Sequence, residues 1–142
     1  VYVIIDGILR RWYWNGDNEI TTAFGLPGSM FIYYHSYCYN QSPQFFYEAC
    51  CKSRILRVTK EDYDSMLRTY HDFSLWCLNM AQCQFYYYEK KESVINGNVE
   101  ERYASIEQNR PEILQNVSLR IIASYLGVSP QYLSKIRNKK FK

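Results

Sequence analysis

Gln131 and Lys135 lie four residues apart near the end of the chain, so a helix through them presents both side chains on one face. A carboxamide offers a donor and an acceptor side by side and matches the major-groove edge of adenine, while an ammonium donates to that of guanine. Tyr132, Ser134 and Asn138 fall on the outward side of the same helix. Ser129 stands just ahead of it, where a hydroxyl and the helix N-terminus meet a phosphate. Arg137 and Lys139, with Lys140 and Lys142 beyond them, supply salt-dependent attraction to a sugar-phosphate backbone. The chemistry these residue types offer is non-covalent reading of DNA.

Charge supports that placement. Residues 1–101 carry 9 Lys/Arg against 12 Asp/Glu, a net of −3, whereas residues 102–142 carry 8 against 2, a net of +6. The C-terminal part is therefore the part that meets a polyanion. Covalent chemistry has no comparable candidates: there is no Ser/His/Asp or Cys/His spacing, no phosphate-cradling glycine loop and no paired carboxylates on an apolar face. Asp62 and Asp64 belong to an acidic helix start. An enzyme is not expected, and no cofactor is implied.

Five cysteines, Cys38, Cys50, Cys51, Cys77 and Cys83, include no C-x-x-C pair, and His35 and His71 do not sit at zinc-ligand spacings. Free thiols in a reducing, cytoplasmic compartment are expected, with no metal site. Cys50 and Cys51, read as part of a strand, would point to opposite faces. No apolar run approaches the length of a membrane helix.

The elements that position the candidate residues are legible in the same region. With Leu119 taken as the first position of a helix-turn-helix, the fifth needs a small residue and holds Ala123; the ninth needs positive φ and holds Gly127. The apolar positions hold Ile122, Leu126, Val128, Leu133 and Ile136. Ser118 caps the first helix, and Ser129 caps the second with Pro130 at its first position. Every position matches.

Upstream, 47% hydrophobic content with 22% charged residues fits a globular chain. Fifteen Tyr, seven Phe and three Trp lie mostly before residue 90 and suit half-buried strands. Strands are expected at Tyr2–Ile5, Ile8–Trp14, Glu19–Phe24, Gln44–Cys51 and Ile55–Val58, punctuated by Asp6-Gly7, Asn15-Gly16-Asp17-Asn18 and Gly25-Leu26-Pro27-Gly28. Thr59 caps a short helix to about Arg68, and Asp72 is expected to cap the next. There the period changes. Phe73, Trp76, Met80, Cys83, Tyr87, Lys90 and Val94 are spaced three and four apart, a heptad seam for a partner helix, leaving Leu75, Leu78 and Phe85 to pack on the sheet. A homodimer follows. Gly97 is a hinge, Asn98 caps a helix over Val99–Asn109 with Glu101 at its third position, and Pro111 ends it.

The order of strands, long helix, hinge and helix-turn-helix resembles the Crp/Fnr family of bacterial transcription regulators. Tyr2-Val3-Ile4-Ile5-Asp6-Gly7 is similar to a strand and turn of the cyclic-nucleotide-binding roll. Ser53 to Asp62 resembles the roll's last strand and following helix, and Glu100 to Lys139 the DNA-binding domain of short members. The resemblance implies an α+β fold: a partial antiparallel β-roll (a double-stranded β-helix), a long dimerisation helix, and a C-terminal helix-turn-helix, winged-helix-like without a clear wing. It divides the chain into a roll over 1–70, incomplete at its N-terminus, a dimerisation helix and hinge over 71–97, and a DNA-binding domain over 98–142.

It further implies a homodimer on a two-fold-related DNA site, with bases read from Pro130, Gln131 and Lys135; Pro130 cannot donate a hydrogen bond. The Gly-Glu pair and the Arg that hold a cyclic nucleotide are absent from Gly28-Ser29-Met30-Phe31 through Gln41-Ser42-Pro43-Gln44-Phe45. Cyclic AMP is therefore not the expected effector, and a more apolar small molecule, or none, is. The alternative function is a ligand or interaction module that does not bind DNA, or a decayed fragment of such a regulator.

Overall fold

The computed structural model describes residues 1–95 and 98–140, without the side chains at 87, 90–95, 139 and 140. Its class is α+β, as expected. Among the described residues, the strands are β1 (Tyr2–Asp6), β2 (Leu9–Asn15), β3 (Asn18–Gly25), β4 (Met30–Phe31), β5 (Phe46–Ala49) and β6 (Arg54–Arg57). They form two antiparallel sheets, ordered β4-β1-β6 and β3-β2-β5. The helices are α1 (Tyr34–Tyr39), α2 (Lys60–Thr69), α3 (His71–Ile95), α4 (Val99–Asn109), α5 (Pro111–Asn116), α6 (Leu119–Leu126) and α7 (Pro130–Lys140).

The roll follows from two turns. Asp6 Oδ1 accepts from Gly7 N at 2.9 Å, and Gly7 has φ +87°, which moves the chain from one sheet to the other. Gly16 (φ +59°) closes the β2–β3 hairpin between Asn15 and Asn18, a conformation that glycine adopts without a Cβ penalty. Between the sheets Ile4, Leu9 and Phe31 form a small core with Tyr2, Ala23 and Tyr47 against it. In β2–β3 the register slips after Arg11: Arg11 faces Ala23 but Trp12 faces Thr21, so Thr22 is the extra residue of a bulge.

Two local expectations are corrected. The strand read over Gln44–Cys51 is only Phe46–Ala49, so Cys50 and Cys51 lie in the following turn, both half-buried, and not on opposite strand faces. Helix α3 begins at His71, so Asp72 sits in its first turn instead of capping it; the Ser74 hydroxyl donates to Leu67 O at 2.6 Å and ties the corner to α2. The helix over Val99–Asn109 stops before Pro111, as expected, and Pro111 then opens a further helix, α5, because proline at a first helical position loses no hydrogen bond.

Helix α3 also turns the other way. Phe73 and Met80 pack within the chain, against the cluster of Met30, Tyr63 and Cys77, with the Phe73 and Tyr63 rings edge-on at 5.8 Å. Leu75, Leu78 and Phe85, expected on the sheet, are instead 50%, 55% and 70% exposed. The helix is apolar on several sides, so its sequence leaves the phase open; the buried Tyr63–Cys77 contact chooses it. Trp76 and Cys83 remain exposed, while the Tyr87, Lys90 and Val94 side chains, like the hinge at Gly97, fall outside the described residues.

Burial pushes the Cys50 thiol up to about 11, partly opposed by Arg10. At pH 8 only about one Cys50 in a thousand is then thiolate. Iodoacetamide at pH 8 should label exposed Cys38 and Cys83 well before Cys50, as read by peptide mass mapping. Because the folded chain holds this proton more tightly than the ordinary value of 9.0, the associated stability is present below pH 9 and lost as pH rises towards 11.

Candidate nucleic-acid interface

Helices α6 and α7 are positioned by caps, a turn and a shared core. The Ser118 side chain accepts from Ile121 N at 3.4 Å, and Ser129 Oγ accepts from Tyr132 N at 3.2 Å. Between them Gly127 is left-handed, with φ +68° and ψ +32°. It ends α6, and Val128 N donates to Ala123 O at 3.0 Å, which satisfies one of the last carbonyls. Ala123 and Leu133 are 0% exposed, so the two helices meet where a larger side chain at 123 would hold them apart. Ile122, Leu126 and Ile136 close around them with Tyr103 and Ile106 of α4, Ile113 of α5 and Val117 just after it.

With Leu133 and Ile136 turned inward, Gln131, Lys135, Arg137 and Asn138 are exposed. Gln131, Lys135 and Asn138 follow at spacings of four and three, one helical face. Ser134 is half-buried, nearer the shoulder of that face. Tyr132 is 45% exposed, yet its hydroxyl donates to Glu100 Oε1 of α4 at 3.4 Å. The Lys139 and Lys140 side chains and all of Lys142 fall outside the described residues. Among the described residues no cluster of three or more His, Cys, Asp or Glu could hold a metal ion, and no helix is long and apolar enough to cross a membrane.

The α6–α7 unit is not separate from the roll. Ile8 and Phe24 of the roll belong to the same apolar cluster as Leu126 and Leu133, and the Phe24 and Tyr125 rings are 5.0 Å apart. One core therefore crosses the expected boundary near residue 97. The Ser124 hydroxyl of α6 grips the free edge of β3: it accepts from Thr21 N at 2.9 Å and donates to Glu19 O at 2.6 Å.

Beneath that edge lies a buried cation that the sequence did not mark. Arg10 is 4% exposed; Nη2 donates to Glu19 at 2.6 Å, Nε to Glu48 at 2.5 Å and Nη1 to Thr21 Oγ1 at 3.3 Å. Burial opposes its charge most strongly, but the hydrogen bonds and charge attraction of Glu19 and Glu48 together outweigh it and raise its pKa. The available signal was two adjacent arginines in a strand: alternation forces one to each face, so one must be buried with a partner.

Similarity at the level of sequence is slight: neither a family model nor a curated protein matches the chain. Solved structures match throughout. FixK2 from Bradyrhizobium japonicum superposes with a TM-score of 0.76 at 17% identity, over 97% of this chain and 72% of that one. A crp/fnr-family putative transcriptional regulator from Eubacterium rectale gives 0.71 at 15% identity, over 97% and 67%. TTHA1359, a CRP/FNR-family transcriptional regulator from Thermus thermophilus, gives 0.67 at 15%, over 97% and 73%. The chain has the Crp/Fnr fold. In that fold α3 is the long helix, and α6 and α7 are the terminal helix pair. The resemblance read from residues 2–7, 53–62 and 100–139 thus extends over nearly the whole chain as a likeness of fold.

Proposed function

We propose that this protein is a sequence-specific DNA-binding transcription regulator that acts as a homodimer on a two-fold-related site. One observation carries the reading: Gln131, Lys135 and Asn138 stand exposed on a helix whose opposite side, Leu133 and Ile136, is locked into the core. A helix so anchored enters a major groove with its N-terminal residues on base edges. Gln131 reads adenine and Lys135 guanine; Ser129, Ser134 and Tyr132 line the approach, and Arg137 with Lys139 meets phosphate.

Two copies meet along α3. Its described outward apolar residues, Leu75, Leu78 and Phe85, fit the first and fourth positions of successive heptads, with Gln82 between. A surface that leaves them 50–70% exposed is made to be covered. The effector of the roll is an apolar small molecule and not cyclic AMP. A hollow of about 460 Å³ is lined by Tyr2, Leu9, Phe45, Phe46, Tyr47 and Ile55, among others. The Tyr33 and Phe45 rings, 5.6 Å apart and edge-on, lie at the segment that lacks the nucleotide-binding Glu and Arg.

The test is selection from a random duplex pool, followed by affinity measurement across salt. Wild type should enrich a palindrome with half-sites about 34 Å apart, bound by two chains as read from the mass of the complex. Gln131→Ala and Lys135→Ala should each weaken binding about 5- to 100-fold and relax preference at one base pair. No enriched site, with neither substitution changing affinity, would sink the reading.

A further inference from the structure

We propose that Arg10 is the positioning residue that sets the reading head against the roll, through a polar link running Glu48–Arg10–Glu19–Ser124. Each step is short. The guanidinium joins two carboxylates from opposite neighbours of β2, Glu48 on β5 and Glu19 on β3. Glu19 then offers its backbone carbonyl to Ser124, the α6 side chain that also accepts from Thr21 N. Thr21 itself is 3% exposed, and its hydroxyl accepts from the same guanidinium. The side chain of Arg10 therefore holds both ends of the three-residue stretch Glu19–Thr21 that Ser124 grips.

A buried arginine is a costly way merely to fill space. Its fork instead fixes two carboxylates in direction as well as distance, and the Trp12 ring, 5.0 Å from Cζ, restrains it further. Ser124 stands next to Ala123, the close-contact residue between α6 and α7, so displacement of the β3 edge is transmitted to the helix that supports α7. Packing through Phe24 and Tyr125 holds the two parts together; the polar link determines how α6 is set on them. The consequence for DNA rests on the function proposed above, whereas the link itself does not.

The experiment compares wild type with Arg10→Met, Ser124→Ala and the double variant, and uses Glu19→Gln as a milder break should Arg10→Met fail to fold. Glu48→Gln breaks the link at its exposed end, where solvent compensates part of the lost bond. Amide hydrogen exchange should quicken about tenfold or more in α6 and α7 for Arg10→Met, Glu19→Gln and Ser124→Ala, with β1 and β4 unchanged and Glu48→Gln affected least. The double variant should be no worse than the more severe single one, because both cut one link. Affinity for the selected DNA site should fall by less than the opening of α6 increases, because only the competent fraction binds and the opened form stays a small part of the population.

Uniform acceleration through both sheets, or additive single effects, would reduce Arg10 to a stability residue and overturn the proposal. Unchanged exchange in α6 with Glu19→Gln would do so as well. If wild type selects no DNA, the function proposed above fails, and the exchange comparison still decides the link.

Discussion

Leu133→Ala is expected to lower the stability of the protein by roughly 3–5 kcal/mol, the upper part of the range for a buried leucine. Leu133 is 0% exposed and sits where α7 meets Ala123 and Ile122 of α6. Neighbours on three helices, each capped or turned into place, leave little freedom to collapse into the hole, and incomplete collapse is what makes such substitutions severe. Because Ile8 and Phe24 of the roll share this core, the loss should appear as one destabilised transition and not as melting of an isolated C-terminal unit. Urea denaturation followed by far-ultraviolet circular dichroism measures it. Lys135→Ala, on the same helix but exposed, should shift stability by less than about 0.5 kcal/mol. Comparable midpoints for the two variants would mean that α7 is not anchored through Leu133.

Gly7→Ala should be nearly as damaging, although it adds a single methyl group. Gly7 has φ +87°, a region that costs a residue bearing Cβ about 1–3 kcal/mol. A Cβ there would also stand 2.7 Å from both Lys52 O and Ser53 Cα. These are backbone atoms of the β5–β6 turn and cannot swing aside, so overpacking adds about another 1–3 kcal/mol. The turn is where the chain leaves one sheet for the other, so both sheets should loosen together. Gly16→Ala provides the comparison: its φ is +59°, but a Cβ there meets nothing within 4 Å, so only the backbone cost of about 1–2 kcal/mol applies. Thermal unfolding of the two variants separates strain from contact; equal midpoints would show that the approach to Lys52 and Ser53 can be relieved.

The C-terminal helices were legible because their constraints are local. Gly127 must bend left-handed, Ala123 must be small, and Ser118 and Ser129 cap within three residues; each requirement is met inside about twenty consecutive positions. The same holds for Thr59 and Asn98, whose side chains accept from Asp62 N and Glu101 N. The hairpin turns were legible for the same reason. Where the outcome depended on residues far apart, the sequence left choices open. Helix α3 carries apolar residues on several sides, and periodicity could not say which met the roll.

By itself, then, the sequence determined the α+β class, the hairpin, the caps and turn of α6–α7, and which residues of α7 face outward. Those are matters of backbone torsion and short-range hydrogen bonding, written in neighbouring residues. Only the tertiary structure decided that Phe73 and Met80 face inward while Leu75, Leu78 and Phe85 face out. It alone joined the roll and the terminal helices through Phe24 and Tyr125, and it brought Arg10, Glu19 and Ser124 into one line. Glu19 and Ser124 are 105 residues apart in the chain. Burying a guanidinium is favourable only where carboxylates from two neighbouring strands converge on it, and no stretch of sequence contains that condition.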